Sequence, residues 1–389
     1  MKPQAAHFQR IDVLRGVAIF AVFVHHYWLG VAHNPTLAEA TRFATGNRAW
    51  FALHEFGYLG VKLFFVISGF CIHHSYLNWR ARNHGAPLSA FLPGFLQRRF
   101  WRILPPYVLV LLPLFFWKYD QPFALTSLKH LAVHLSLTNT LVPGFFYNID
   151  PAFWSIAVEW QLYLVYPLAL LVMLRFGGGA MLALALGSSL FFELLLPRFT
   201  QSPTLLNLPF AWWYDWVIGA VLAGAFAEKR QLFRAHLPLG IVLFTVLALN
   251  LSVWNLRVLN IVVGPLLFAV VVEAATASRK PLGLLGRAVG VLGLCSFSFY
   301  LLHGQITYLF TDHVLGGSLS AQPASVWLTG CALLFVFILG LSWLSYRFVE
   351  LGSVRLGERL SKRTPARPGA AAAAPANEIP LPAVKPGAS

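Results

Sequence analysis

The chain has 389 residues, of which 58% are hydrophobic and only 11% charged, and its mean hydropathy is +0.66. That composition excludes both a soluble globular domain and a disordered chain, and points to a polytopic membrane protein. A formal charge of +15 does not imply a nucleic-acid partner, because lysine and arginine collect in the cytoplasmic loops of membrane proteins.

Taken in chain order, apolar stretches near or above the roughly 17 to 25 residues that cross a bilayer fall at 13–32, 58–76, 103–117, 153–174, 179–196, 209–227, 237–254, 258–276, 290–311 and 325–347. The expected fold is therefore all-α, a membrane helix bundle of about ten transmembrane helices over 13–350. Residues 1–12 form a cytoplasmic N-terminus, and 351–389 a cytoplasmic Pro/Ala-rich tail too poor in apolar residues to pack a core. The basic N-terminus, the first apolar run and the triplet Ala38-Glu39-Ala40 imitate a signal peptide only faintly, since the triplet lies too far beyond the run. The segment 128–147 is more polar, with His130, His134, Asn139 and Pro143. Counting it as a span would invert everything downstream and put most of the cations outside. With ten spans and both termini cytoplasmic, only Arg42, Arg48, Lys118, Lys129, Arg198 and Arg257 face outward, so 128–147 is expected to be interfacial or re-entrant.

Ionisable groups at membrane depth are costly and mark candidate sites. Arg15 and His26 stand eleven positions apart, which returns them to one helix face about 20° off and roughly 16 Å apart along the axis. Measured from the outer ends of their spans, His26, Glu159, His303 and Lys62 share the outer half of the bilayer, where they could converge on one cavity. A histidine near a carboxylate suits general-base work. Ser155 lies one turn before Glu159, but no serine or cysteine is placed as an obvious nucleophile, which favours direct transfer over a covalent intermediate. At the other end, FLQRRFWRILPPY puts Arg98, Arg99 and Arg102 just before the third span, with Pro105 and Pro106 opening it. Beside Arg15 they would make a basic cytoplasmic mouth suited to phosphate groups. Cys71, Cys295 and Cys331 lie in apolar segments without CxxC or Cys/His spacing, so neither a disulfide framework nor a metal site is expected.

The ordered pieces LRGVAIFAVFVHH, GVKLFFVISGF, RRFWRILPPY, FWSIAVEWQLYLVYPL, SFSFYLLH and YRFVE resemble the bacterial acyltransferase 3 family of membrane O-acyltransferases. The resemblance covers about residues 10 to 350, and its arginine, ten residues, then histidine motif falls on Arg15 and His26. It implies an inner-membrane enzyme that moves an acyl group, usually acetyl, from cytoplasmic acyl-CoA to a hydroxyl of a glycan, glycolipid or other glycosylated acceptor. On that basis Arg15, Arg98, Arg99 and Arg102 would bind the coenzyme A phosphates, and His26 would deprotonate the acceptor with Glu159 orienting it. Trp154, Tyr163 and Tyr166 would shape the acceptor cavity, while His303 or Lys62 would steady the developing oxyanion. Lys62 departs from the acidic residue or glutamine of many relatives and suggests an anionic acceptor or acyl group. The rival class is a transporter or exporter using the Arg15, His26 and Glu159 line as its path, but the inverted repeats of such proteins are not visible in the sequence.

Overall fold

The computed structural model describes residues 6–33, 48–254, 256–315 and 324–363. Residues 34–47, which hold the cleavage-like triplet, and the tail from 364 lie outside the described residues. Among the described residues there are helices and connecting turns and no strand.

The helices are α1 (Ala6–His33), α2 (Arg48–Arg82), α3 (Leu88–Lys118), α4 (Leu125–Leu135), α5 (Phe153–Leu190), α6 (Trp213–Ala227), α7 (His236–Leu249), α8 (Arg257–Ala277), α9 (Leu284–Leu294), α10 (Ser296–Leu309), α11 (Ala324–Ser345) and α12 (Leu351–Arg363). In a bilayer every backbone group must be satisfied within the protein, and helices do this without a partner. Six described segments are long and apolar enough to cross, or seven if the bent pair of α9 and α10 counts as one. Three features separate that number from the expected ten. The first helix carries Arg10, Asp12 and Arg15 along its inner half. The fifth expected span is continuous with the fourth, and α7 has only 14 residues.

The continuous segment Phe153–Arg198 has 46 residues, about 70 Å of helix at 1.5 Å per residue and far more than one crossing needs. It folds back at Gly177, whose φ of 85° and ψ of 165° belong to a region essentially confined to glycine. Trp154 on the outgoing arm stacks on Trp212 (ring centroids 5.0 Å), while Ser189 on the returning arm accepts the Tyr214 N–H at 3.2 Å. Both ends of α5 therefore lie level with the start of α6, as in an antiparallel hairpin.

Helix α2 is the axis of the bundle. It meets α1 through Gly57 and Gly60, and α6 through Gly69 and Gly219. A Cβ at Gly69 would strike the Trp216 carbonyl and one at Gly219 the Val66 carbonyl, so these backbones touch as closely as small residues allow in membrane helices.

Two sequence expectations change here. The expected span 290–311 is broken at Cys295, where α9 and α10 bend by 73°. Gly293 lets α9 lie directly on the Asp12 backbone of α1, and the bend then turns the serine- and histidine-bearing α10 into the bundle. Pro105 and Pro106 do not open a span but lie inside the continuous α3, which begins after Pro87. They remove the N–H groups that would serve the Trp101 and Arg102 carbonyls.

The segment 128–147 enters the bundle and leaves on the same side. Tyr107 donates to the His134 carbonyl (3.2 Å), and Gln161 donates to the Leu137 carbonyl (3.0 Å) and Thr140 Oγ1 (2.8 Å). Lys118, eleven residues beyond Tyr107, then donates to the Ile149 carbonyl at 3.3 Å. The tip is thus held deep between α3 and α5 while both ends return to the Lys118 level. Non-helical backbone is tolerated at such depth when protein covers it, and His134, Asn139 and Thr140 are fully buried.

Candidate functional site

Three structures line up along α1, beginning at its inner end. There a cavity of about 490 Å³ is lined by Arg15, Arg98, Arg99 and Arg102, facing the carboxylates Asp12, Glu350 and Glu358. The four arginines of the expected mouth do share one cavity. Three come from the start of α3, because the continuous helix puts Arg98, Arg99 and Arg102 within two turns. The carboxylates leave the mouth with one surplus cation, a compensation not read from the sequence although Asp12 stands one turn before Arg15. Arg15 donates to Asp12 Oδ1 at 3.0 Å and to Cys71 Sγ at 3.3 Å. The Arg99 guanidinium lies between the rings of Phe95 and Tyr163, 5.9 and 5.8 Å from their centroids, and its Nε is buried without a hydrogen-bond partner among the described residues. Guanidinium groups bind phosphate or carboxylate oxygens in pairs, so the cluster has the chemistry of an anion site.

Arg15, Arg99 and Arg102 also line a narrower cavity of about 90 Å³ that continues into the bundle past Ser68, Glu159 and Tyr163 to Ser155 and Tyr300. Glu159 accepts hydrogen bonds from Ser68 Oγ (2.8 Å) and from the Tyr163 hydroxyl. Beyond, Ser155 Oγ and the Tyr300 hydroxyl lie 2.6 Å apart, with Tyr300 donating to the Ala152 carbonyl.

One turn past Tyr300, with ring centroids 5.1 Å apart, is His303. Its Nε2 lies 3.2 Å from His26 Nδ1, and the two rings meet edge to face at 4.6 Å. Backbone carbonyls assign the tautomers. His303 Nδ1 is 2.7 Å from the Tyr300 carbonyl and His26 Nδ1 is 2.9 Å from the Val22 carbonyl. A carbonyl only accepts, so both Nδ1 atoms carry hydrogen. His303 Nε2 is then an acceptor for His26 Nδ1–H, and the basic lone pair of His26 resides on Nε2. The two imidazoles stand in series, with the ring of His26 oriented by His303.

The shared depth expected for four ionisable groups resolves into three separate places. His26 and His303 are together, whereas Glu159 sits one turn inward of Ser155, with its carboxylate committed to Ser68 and Tyr163. The ring of His26 is oriented by His303 and Val22 rather than by Glu159. Lys62 is elsewhere: buried under the Trp212 ring (5.0 Å), it lies 3.4 Å from both Asp215 oxygens and 3.9 Å from Glu193. Tyr163 lines the inner cavity, but Tyr166 binds His73 (3.0 Å) and Trp154 packs on Trp212 and Phe146. Asp215 went unread in the sequence, although it lies in the apolar run 209–227 and the criterion that picked out Lys62 applies to it equally. Ser68 lies inside the quoted GVKLFFVISGF stretch without having been singled out.

Asp150, in the loop before α5, is buried against Gly304, next to His303. Its Oδ1 accepts the Ala152 N–H at 2.7 Å, and burial raises its pKa to about 6 against that bond. Among the described residues no three His, Cys, Asp or Glu side chains stand close enough to hold a metal.

Comparison with known proteins follows the same lines. The acyltransferase 3 family, described as an acyltransferase domain, matches residues 8–347. A stretch of 177 residues is 28% identical to the peptidoglycan O-acetyltransferase OatA of Listeria monocytogenes, covering 42% of this chain and 24% of that protein. No solved structure matches the chain.

Proposed function

Because the chain belongs to the acyltransferase 3 family, a multi-pass membrane acyltransferase, we propose that it is an O-acyltransferase using acyl-CoA. In this reading it passes an acyl group, acetyl in the first instance, to a glycan hydroxyl delivered from the opposite face of the cytoplasmic membrane. The observation that supports the reading is the continuous polar line from the arginine mouth, through Glu159, Ser155 and Tyr300, to the histidine pair. The partly similar relative acts, by its name, on peptidoglycan, which makes a peptidoglycan hydroxyl the first acceptor to try.

The arginines Arg15, Arg98, Arg99 and Arg102 bind the phosphates of the donor, and its thioester end extends into the narrow cavity. His26 Nε2 removes the acceptor's hydroxyl proton as the oxygen attacks the thioester carbonyl. The tetrahedral intermediate then collapses with loss of the coenzyme A thiolate, which takes up the proton. His303 receives the His26 Nδ1–H hydrogen bond and so steadies the imidazolium formed in the first step. Glu159 holds Ser68 and Tyr163 in the cavity wall beside Arg15 and Arg99, while Ser155 and Tyr300 line the cavity's outer end, next to His303. The excess of basic residues on the mouth side orients both termini toward the cytoplasm.

The test is acyl transfer by the full chain in nanodiscs, with labelled acetyl-CoA and soluble peptidoglycan fragments. Arg15→Gln and Arg99→Gln are expected to raise the KM for acetyl-CoA about tenfold each, the cost of one charge-assisted bond. Wild-type KM and turnover in both would remove the donor from this mouth.

A further inference from the structure

A second cavity lies at the opposite end of the bundle from the arginine mouth. It measures about 220 Å³ and is bounded by the top of α2 (Tyr58, Lys62), the end of the returning arm of α5 (Glu193), the loop at Asn207, and the start of α8 (Arg257, Asn260). Its chemistry differs from that of the mouth. Lys62 and Arg257 are countered by Glu193 and, behind it, Asp215, so the charges balance. Lys62 is therefore not a spare cation awaiting an anion. Its contact with Glu193 is 3.9 Å, too long for a hydrogen bond, and Glu193 Oε1 is buried with no hydrogen-bond partner among the described residues. The Asn260 amide oxygen accepts from Asn250 Nδ2 at 2.7 Å, which leaves its NH₂ group as the donor it offers the cavity. The Asn207 NH₂ group is turned to the Pro203 carbonyl (2.9 Å), which leaves its oxygen as an acceptor. Tyr58 supplies an aromatic wall, and its ring touches that of His25 (6.0 Å), which in turn touches His26 (5.3 Å).

From this juxtaposition we infer that the outer cavity is a glycan subsite for an uncharged, hydroxyl- and amide-bearing sugar residue, held next to the wall that separates it from His26. The inference rests on the acyl-transfer reading for its role as acceptor site, but not for the binding itself. Convergent donors and acceptors beside a buried carboxylate oxygen that lacks a donor among the described residues, with balanced charges and one aromatic face, suit a pyranose ring. They suit a phosphate or a uronic acid less well, because its negative charge would be added where Lys62 and Arg257 are already matched by Glu193 and Asp215. A buried acceptor left without a donor costs free energy until a ligand supplies one.

The experiment is equilibrium binding of fluorescently labelled chitotetraose, an uncharged oligomer of N-acetylglucosamine, to the full chain in nanodiscs, with acetyl transfer measured in parallel. Binding is expected to weaken about tenfold or more in Glu193→Gln and in Asn260→Ala, the loss of one hydrogen bond to a charged or buried partner. His26→Ala is expected to abolish transfer while leaving binding intact. Unlabelled oligogalacturonate of the same length is expected not to compete. Failure of wild-type protein to bind chitotetraose, equal binding by wild type and both variants, or stronger competition by oligogalacturonate would each overturn the subsite. Variant-sensitive binding without any transfer would instead uphold the subsite and sink the acyl-transfer reading.

Discussion

The half-buried His26–His303 pair and the buried Lys62–Asp215 pair both join helices far apart in sequence, and both looked alike as polar interruptions of apolar spans. They differ in what their partners leave over. At the histidines, the His303 Nδ1–H faces the Tyr300 carbonyl and the one His26 Nδ1–H is shared between the Val22 carbonyl and His303 Nε2, which puts the lone pair of His26 on Nε2. At Lys62, the ammonium is surrounded by two carboxylates and an aromatic face, so its charge is spent on holding α2, α5 and α6 together. Burial of an ionisable group marks a place where structure has been invested. Whether that place does chemistry depends on which atom remains basic or acidic after the neighbours have been served.

The largest expected effect tests the first half of this contrast. His26→Ala is expected to lower the acyl-transfer rate about a thousandfold, within the usual range for a general base, with the protein still folded by thermal unfolding in detergent. His303→Gln is expected to lose less and to shift the pH–rate profile, because it acts through His26. Equal losses with an unchanged profile would deny the series arrangement.

For the charged pair the expectation is inverted, with stability suffering rather than chemistry. Lys62→Met leaves Asp215 buried without its cation and is expected to cost about 3 to 5 kcal/mol. The double variant Lys62→Met, Asp215→Leu should recover most of that loss, since an apolar pair of similar volume is often tolerated. Chemical denaturation of the four proteins of that cycle decides, and an equally unstable double variant would mean that Lys62 does more than neutralise Asp215.

Asp150 lies between the two cases, a carboxylate packed against Gly304 beside His303 that accepts the Ala152 N–H. Its pKa rises from 3.8 unfolded to about 6 folded, so between those values the folded protein binds more protons than the unfolded one. Stability is therefore expected to fall as pH rises from about 4 to 6, by about 3 kcal/mol at most. Asp150→Asn should flatten that slope, as read from denaturation midpoints across the range, and an unchanged slope would assign it to other groups.

The smallest effect concerns how Glu193 reaches Lys62. Gly177→Ala forces a side chain into a glycine-only conformation at the hairpin and is expected to cost about 1 to 3 kcal/mol. The hairpin should loosen the returning arm rather than the histidine pair, so chitotetraose binding is expected to weaken more than the KM for acetyl-CoA rises.

The sequence by itself determined the helical membrane architecture, the arginine mouth and the face shared by Arg15 and His26. These depend on composition, helical period and charge asymmetry, all local or additive properties. It also suggested a re-entrant 128–147, because charge bookkeeping forbids an odd crossing there, and the hydrogen bonds of Tyr107, Gln161 and Lys118 show how it is held. Tertiary structure alone decided that His26 pairs with His303, 277 positions away, while Glu159 turns to Ser68 and Tyr163. Depth along a span says how far a residue sits from the membrane surface, not which way its helix is rotated or bent. The break at Cys295, beside the Gly293 contact with Asp12, and the fold-back at Gly177, in a glycine-only conformation, set those directions without any hydropathy signal. The same rotation hid Asp215 as the partner of Lys62, since a single carboxylate in an apolar run names no counterpart until α2 and α6 are brought together at Gly69 and Gly219.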